Sequence, residues 1–304
     1  MEFTVTILGA NSAVPAHDRH QTSQIINVGN DLLMIDCGEA SQIQLQRYKV
    51  KSSKIKHIFI SHLHGDHYLG LMGVISTFHL NKRTAPLTIY GPQGLDEIIT
   101  TQLRYGNTHL NYPLKFVPTN PKNKELLVDA KKYQVFSFPL KHRLPCTGFY
   151  IIEKRGLRNL IKEQLLAHPI GIEAINTLKS GKDFKDVNGK IIYKVEEFAY
   201  PAPPLRRYAF CSDTIYDPSL VPYIQGADLL YHEATFMENE AYRASLTFHS
   251  TAKQAASIAK EANVKKLLLG HYSTRYQDLE PLLSEAKDIF PCCELSIEGE
   301  TYTV

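Results

Sequence analysis

Within six residues, His62-Leu-His-Gly-Asp-His67, the chain sets three imidazoles and a carboxylate side by side. Polar groups packed so densely are costly to bury unless something satisfies them. A divalent cation does so, because imidazole suits zinc and a carboxylate adds charge and a bridging oxygen. The run before the motif, Ile55-Lys-His-Ile-Phe-Ile60, reads as a strand. The motif therefore sits at a strand end. His62 and His64 share one side, while Asp66 and His67 open a helix running to about Leu80. Three more ligand types follow strand-like runs: His142 after 136–141, Asp213 after 208–212 and His271 after 266–270. Strand ends converge along one sheet edge, where sheet folds place ligands. Seven metal-binding side chains gathered there suit two metals.

The elements that must position these groups alternate along the chain. Strand-like runs are expected at 3–8, 23–28 and 32–35, the last two joined by a Gly29-Asn30 turn. A helix is expected at 39–48, a strand at 87–90 and a helix from there to about Arg104. Strands at 135–139 and 148–152 flank the loop carrying His142. After 185 come strands at 208–211, 227–231 and 264–269. Helices are expected at 251–262, with Ser250 as a possible cap, and near 279–290, where Pro281 suits the first turn. The pattern implies two mixed sheets between helices, an α/β (α+β) arrangement, with 153–185 inserted as an excursion.

Composition narrows the setting. The chain has 304 residues and a formal charge of +3. Between Glu153 and Lys185 stand seven bases and four acids, so that segment carries the whole net charge. Bases confined to one segment point to a polyanion contact. No apolar stretch is long enough to span a bilayer, and Met1-Glu-Phe-Thr-Val-Thr-Ile-Leu8 alternates like a strand rather than a secretory signal. The five cysteines are an odd number with no C-x-x-C pair, which fits a reducing cytoplasm better than a disulfide framework or a thiolate zinc site.

Taken with Gly9-Ala-Asn-Ser-Ala-Val-Pro15, Arg19-His-Gln-Thr-Ser23 and Asp36-Cys-Gly-Glu39, these residues resemble the metallo-β-lactamase superfamily. The resemblance narrows to the ribonuclease Z family of tRNA 3′-processing endonucleases. It rests there on His142-Arg-Leu-Pro-Cys-Thr-Gly-Phe149, His232-Glu-Ala-Thr-Phe236, His249-Ser-Thr251 and His271-Tyr-Ser-Thr-Arg-Tyr276. The matches run in order from residue 3 to about residue 276.

The resemblance implies a single domain, a four-layer αββα sandwich with 153–185 as an RNA-binding arm. It implies one zinc held by His62, His64, His142 and Asp213, and a second held by Asp66, His67, His271 and the same bridging Asp213. Mn2+ or another divalent metal is an alternative. Asp66 would also orient the attacking water. His249 would protonate the leaving oxygen with Glu233 orienting it, and His232 has no assigned role. Arg155, Arg158, Lys179 and Lys182 of the arm would contact precursor tRNA. The arm has fewer glycines, prolines and bases than many of its relatives. The resemblance also implies a homodimer, and the lack of a long apolar stretch implies no membrane contact. Two other readings compete: a zinc hydrolase of small phosphodiesters, esters or thioesters, and an inactive RNA-binding subunit. The first leaves the basic segment and the His249/Glu233 pair unexplained. The second would normally have lost ligands.

Overall fold

Period-two alternation becomes sheet in the computed structural model, which describes residues 2–154 and 156–304. These divide into two compact units, Glu153–Leu205 and the rest of the chain. In the larger unit the chain first forms β1 (Phe3–Gly9), β2 (Ser23–Val28), β3 (Asp31–Cys37), β4 (Ile55–Phe59), β5 (Leu87–Gly91) and β6 (Leu114–Pro118). It continues through β7 (Glu125–Asp129), β8 (Tyr133–Leu140) and β9 (Cys146–Glu153). The smaller unit holds the hairpin β10 (Phe184–Lys185) and β11 (Ile191–Tyr193). The chain then adds β12 (Arg207–Cys211), β13 (Leu229–Glu233), β14 (Lys266–Gly270), β15 (Cys293–Leu295) and β16 (Thr301–Thr303). One seven-stranded sheet has the order β16-β1-β2-β3-β4-β5-β6, and the other β15-β14-β13-β12-β9-β8-β7.

Alternation decides which residues meet. Phe3, Val5, Ile7, Leu33, Ile35 and Phe59 of the first sheet join Phe138, Phe149, Tyr208 and Phe210 of the second in one buried cluster. Phe59 and Phe149 meet across it with ring centroids 5.4 Å apart. Each fully buried side chain of this size contributes about 1.5–3 kcal/mol, so this layer is the main stabiliser. On the first sheet's other face Leu32, Met34, Ile58 and Ile89 pack with Val74, Ile75 and Ile99 from helices Leu71–Leu80 and Leu95–Tyr105. Helix Ala252–Glu261 packs against β13 and β14. Two sheets flanked by helices are the expected layers.

Local differences have physical causes. The helix expected from Asp66 to Leu80 is broken into Gly65–Tyr68 and Leu71–Leu80. At the break the Gly70 amide donates to the Cys37 carbonyl, and a Cβ on Gly70 would lie 2.1 Å from the Gly38 oxygen. That close approach clamps the histidine motif to the end of β3. Thr251, not Ser250, caps helix Ala252–Glu261, in a capping box with Gln254. The Ser250 hydroxyl donates instead to the Thr214 carbonyl. Gly29 and Asn30 both have positive φ, as their tight hairpin turn requires. No helix among the described residues is long and apolar enough to cross a membrane.

The smaller unit begins where the basic segment was expected but runs on to Leu205. It contains helices Lys162–Ala167, Ile172–Lys179 and Val195–Phe198, around buried Ala174, Leu178 and Phe198. Its extra length adds Lys190 and Lys194 against Asp186, Glu196 and Glu197, so its net charge is +2.

Candidate metal centre

Every expected ligand leaves the end of a strand or lies just beyond one. His62, His64, Asp66 and His67 follow β4, His142 follows β8, Asp213 follows β12 and His271 follows β14. The structure brings the seven together in two groups. His62, His64, His142 and Asp213 form one, and Asp66, His67 and His271 form the other.

In the first group His64 Nδ1 lies 3.0 Å from His62 Nε2 and 3.1 Å from His142 Nε2. Asp213 Oδ2 is 3.5 Å from His62 Nε2 and 3.8 Å from His142 Nε2. In the second group His67 Nε2 is 3.3 Å from both Asp66 Oδ2 and Asp213 Oδ1. His271 Nε2 is 3.5 Å from that Asp66 oxygen and 3.1 Å from Asp213 Oδ1. Tetrahedral ligands on bonds of about 2.0–2.2 Å stand roughly 3.3–3.6 Å apart. Both sets of atoms are close to that spacing, and Asp213 gives one oxygen to each.

The far nitrogens explain the orientation. His62 Nδ1 donates to Ser61 Oγ at 3.0 Å, and His67 Nδ1 to Asp36 Oδ2 at 2.7 Å. His142 Nδ1 donates to the Phe248 carbonyl at 2.9 Å, and His271 Nδ1 to Thr235 Oγ1 at 2.9 Å. With each Nδ1 so engaged, the Nε2 atom faces inward. Sequence reasoning missed this outer layer. Asp36 is fully buried, and its other oxygen accepts the Ser61 amide at 2.8 Å. Asp36, Phe248 and His271 all have φ between 53° and 59°, a left-handed backbone that costs about 1–3 kcal/mol for residues other than glycine. The signal for Asp36 was a carboxylate directly after the apolar run 32–35. Ala13 was also missed: its amide donates to Asp66 Oδ2 at 2.8 Å, so the loop 9–15 holds that carboxylate.

The centre favours positive charge. Burial pushes Asp213 upward, but His271, His67 and His62 outweigh it and hold the carboxyl well below its ordinary range. Burial pushes His67 down, yet Asp213, Asp66 and Asp36 around it hold the imidazole well above its ordinary value. Even so, His67 Nε2 and His271 Nε2 are buried and make no hydrogen bond among the described residues. Inward-facing Nε2 atoms, surrounding carboxylates and near-tetrahedral spacing fit a divalent cation.

Against this centre stands a second pair. Buried Glu233, the last residue of β13, accepts His249 Nδ1–H at 2.8 Å and the Thr214 amide at 2.8 Å through the same oxygen. Burial lowers the His249 pKa, but the Glu233 charge and hydrogen bond overcome that and raise it to about 9. That shift favours the doubly protonated His249 ring, with Nε2 facing away from Glu233. Its ring centroid is 5.3 Å from that of His142 and 5.4 Å from that of His271. His232 is fully buried and donates to the Glu233 carbonyl, away from this constellation.

Known proteins are similar to this chain along its whole length. Ribonuclease Z of Cytophaga hutchinsonii is 47% identical over 304 residues, covering 100% of this chain and 97% of that protein. Ribonuclease Z of Parabacteroides distasonis is 43% identical over 303 residues, covering 100% and 99%. The chain belongs to the ribonuclease Z family. The crystal structure of human tRNase Z, short form, superposes on this family member with a TM-score of 0.72 at 25% identity, covering 99% of each chain. The metallo-β-lactamase fold protein YhfI from Bacillus subtilis gives 0.71 at 20% identity over the full length of both, which shows the fold. A family model described as anti-Pycsar protein Apyc1 matches residues 3–144. That stretch holds the hexapeptide and His142 but not Asp213, Glu233, His249 or His271.

The bases expected to touch RNA in this ribonuclease Z family member lie in the smaller unit. The Arg158 amide donates to the Lys179 carbonyl at 2.8 Å, and the Arg158 guanidinium lies beside Gly181. Lys182 is exposed just past helix Ile172–Lys179. Three of the four expected bases thus gather at one helix end. Arg155 lies outside the described residues.

Proposed function

We propose that this ribonuclease Z family member is the metal-dependent endoribonuclease that cuts precursor tRNA just 3′ of the discriminator base, leaving a tRNA 3′-hydroxyl and a trailer 5′-phosphate. The observation that carries it is the placement of the His249–Glu233 pair against two ligand groups that share Asp213. In this reading His62, His64, His142 and Asp213 hold one zinc, and Asp66, His67, His271 and Asp213 a second. When bound, two such cations offset the charge of a phosphodiester and make water nucleophilic at neutral pH.

The chain's own groups do the rest. Asp66, fixed by the Ala13 amide, orients the attacking water and takes its proton at the carboxylate. His249 Nε2 gives a proton to the departing ribose 3′ oxygen, which is a poor leaving group as an alkoxide. Glu233 keeps that imidazole protonated and aimed. The reading further has the chain working as a cytoplasmic homodimer, supported by the family resemblance and by cysteine usage. Incubation with a 3′-extended tRNA transcript tests it: one cut at the discriminator, abolished by chelator and restored by zinc, is expected. Cleavage that persists after chelation overturns it.

The segment 153–205 serves in this reading as a substrate arm, supported by its separate core and by its gathered bases. No proposed ligand lies inside it. Replacing it by a short turn is expected to spare hydrolysis of a nitrophenyl phosphodiester while weakening pre-tRNA binding and flattening its salt dependence, because fewer phosphates are neutralised. Equal loss of both activities would show that the segment supports the fold instead. No loss of either would show that it holds no RNA. A small-ester hydrolase would give the second of those results.

A further inference from the structure

Thr235 lies just past β13 and belongs to neither ligand group nor the proton-donating pair. Its hydroxyl nevertheless touches both. Thr235 Oγ1 lies 2.5 Å from Glu233 Oε2 and 2.9 Å from His271 Nδ1. The Glu233 carboxylate carries no proton to give, and its two oxygens already accept the Thr214 and Thr235 amides and His249 Nδ1–H. The Thr235 proton therefore goes to Glu233. Its remaining lone pairs face His271, which must supply the proton of that second contact. The direction of the chain is fixed: His271 Nδ1–H to Thr235 Oγ1, and Thr235 Oγ1–H to Glu233 Oε2. His249 Nδ1 is 3.4 Å from the same hydroxyl, but its proton is engaged by the nearer Glu233 Oε1.

We infer that Thr235 is a positioning residue that fixes the tautomer of His271 and ties the second ligand group to the Glu233–His249 pair. With the proton held on Nδ1, His271 Nε2 has a lone pair for a cation. That nitrogen is buried and makes no hydrogen bond among the described residues. It stands 3.1 Å from Asp213 Oδ1 and 3.5 Å from Asp66 Oδ2. Without the hydroxyl, His271 loses its acceptor and the proton can move to Nε2, where it would compete with a cation. Glu233 would lose one of its donors at the same time, so one side chain supports two functions.

The inference rests on the proposed second zinc, and the test separates the two. Thr235→Val keeps shape and removes the hydroxyl, while Thr235→Ser restores it. Zinc competition with a chelator is expected to show one of two ions held about 10–100-fold more weakly in Thr235→Val, the range for loss of an outer hydrogen-bond partner. Thr235→Ser should return to within a few-fold of the parent. In the metal-free protein, 15N NMR of the imidazoles reads the tautomer directly. The His271 Nδ1 proton should be held more firmly in the parent than in Thr235→Val, where a larger share passes to Nε2 and Asp213 Oδ1, 3.1 Å away. Unchanged tautomer and unchanged zinc affinity in Thr235→Val overturn the inference. If the parent binds no second zinc, that reading falls, and the tautomer comparison still decides the role of Thr235.

Discussion

Replacement of Asp213 by alanine is expected to abolish pre-tRNA cleavage and strip metal from both ligand groups at once. No other side chain among the described residues faces both groups in this way. Asp213 Oδ2 faces His62 and His142, while Oδ1 faces His67 and His271. Its removal also takes from buried His67 one of the carboxylates that hold its charge, and uncompensated buried charge costs several kcal/mol. The loss in rate should exceed the ~10²–10⁴-fold that acid–base catalysis alone supplies. Asp213→Asn, nearly the same shape, should fold equally well and fail equally, with elemental analysis reading well under two ions per chain against two in the parent. Two ions and parental cleavage in Asp213→Asn would remove the bridging role.

His249→Ala should behave differently. His249 Nδ1 is committed to Glu233, so the ring contributes a proton rather than a ligand atom to either group, and metal content should not change. Pre-tRNA cleavage should fall by ~10²–10⁴-fold. Hydrolysis of a nitrophenyl phosphodiester should fall much less, since nitrophenolate departs without a proton. A parental rate on pre-tRNA would assign the proton donor elsewhere. Loss of one metal would instead place His249 among the ligands, for its ring atoms lie close to those of Asp213 and His271.

The interior of the fold was legible in the sequence and its margins were not. Strands buried on both faces, such as β12 and β14, read as largely apolar runs. The strands that escaped notice in the larger unit were β6, β7, β15 and β16, which are the four edges of the two sheets. Edge strands are short and face solvent, so they carry little apolar periodicity; β6 and β16 contain no buried residue. The ligand groups were legible because histidine and aspartate after a strand are conspicuous. Their supports were not. The Phe248 carbonyl and the Ala13 amide are backbone groups that any residue carries. Ser61 and Thr235 are ordinary hydroxyls until the fold sets them 3.0 Å from His62 Nδ1 and 2.9 Å from His271 Nδ1. The break at Gly70 likewise depends on β3 lying behind it, which no local pattern encodes.

End-group mapping of the cleaved transcript tests the central claim most directly. Attack by water, with His249 protonating the ribose 3′ oxygen, predicts a tRNA fragment ending in a free 3′-hydroxyl and a trailer beginning with a 5′-phosphate. The tRNA fragment should be extendable by a polymerase and the trailer ligatable without prior phosphorylation. A 2′,3′-cyclic phosphate on the tRNA with a 5′-hydroxyl on the trailer would mean that the neighbouring ribose hydroxyl is the nucleophile, and would contradict the account.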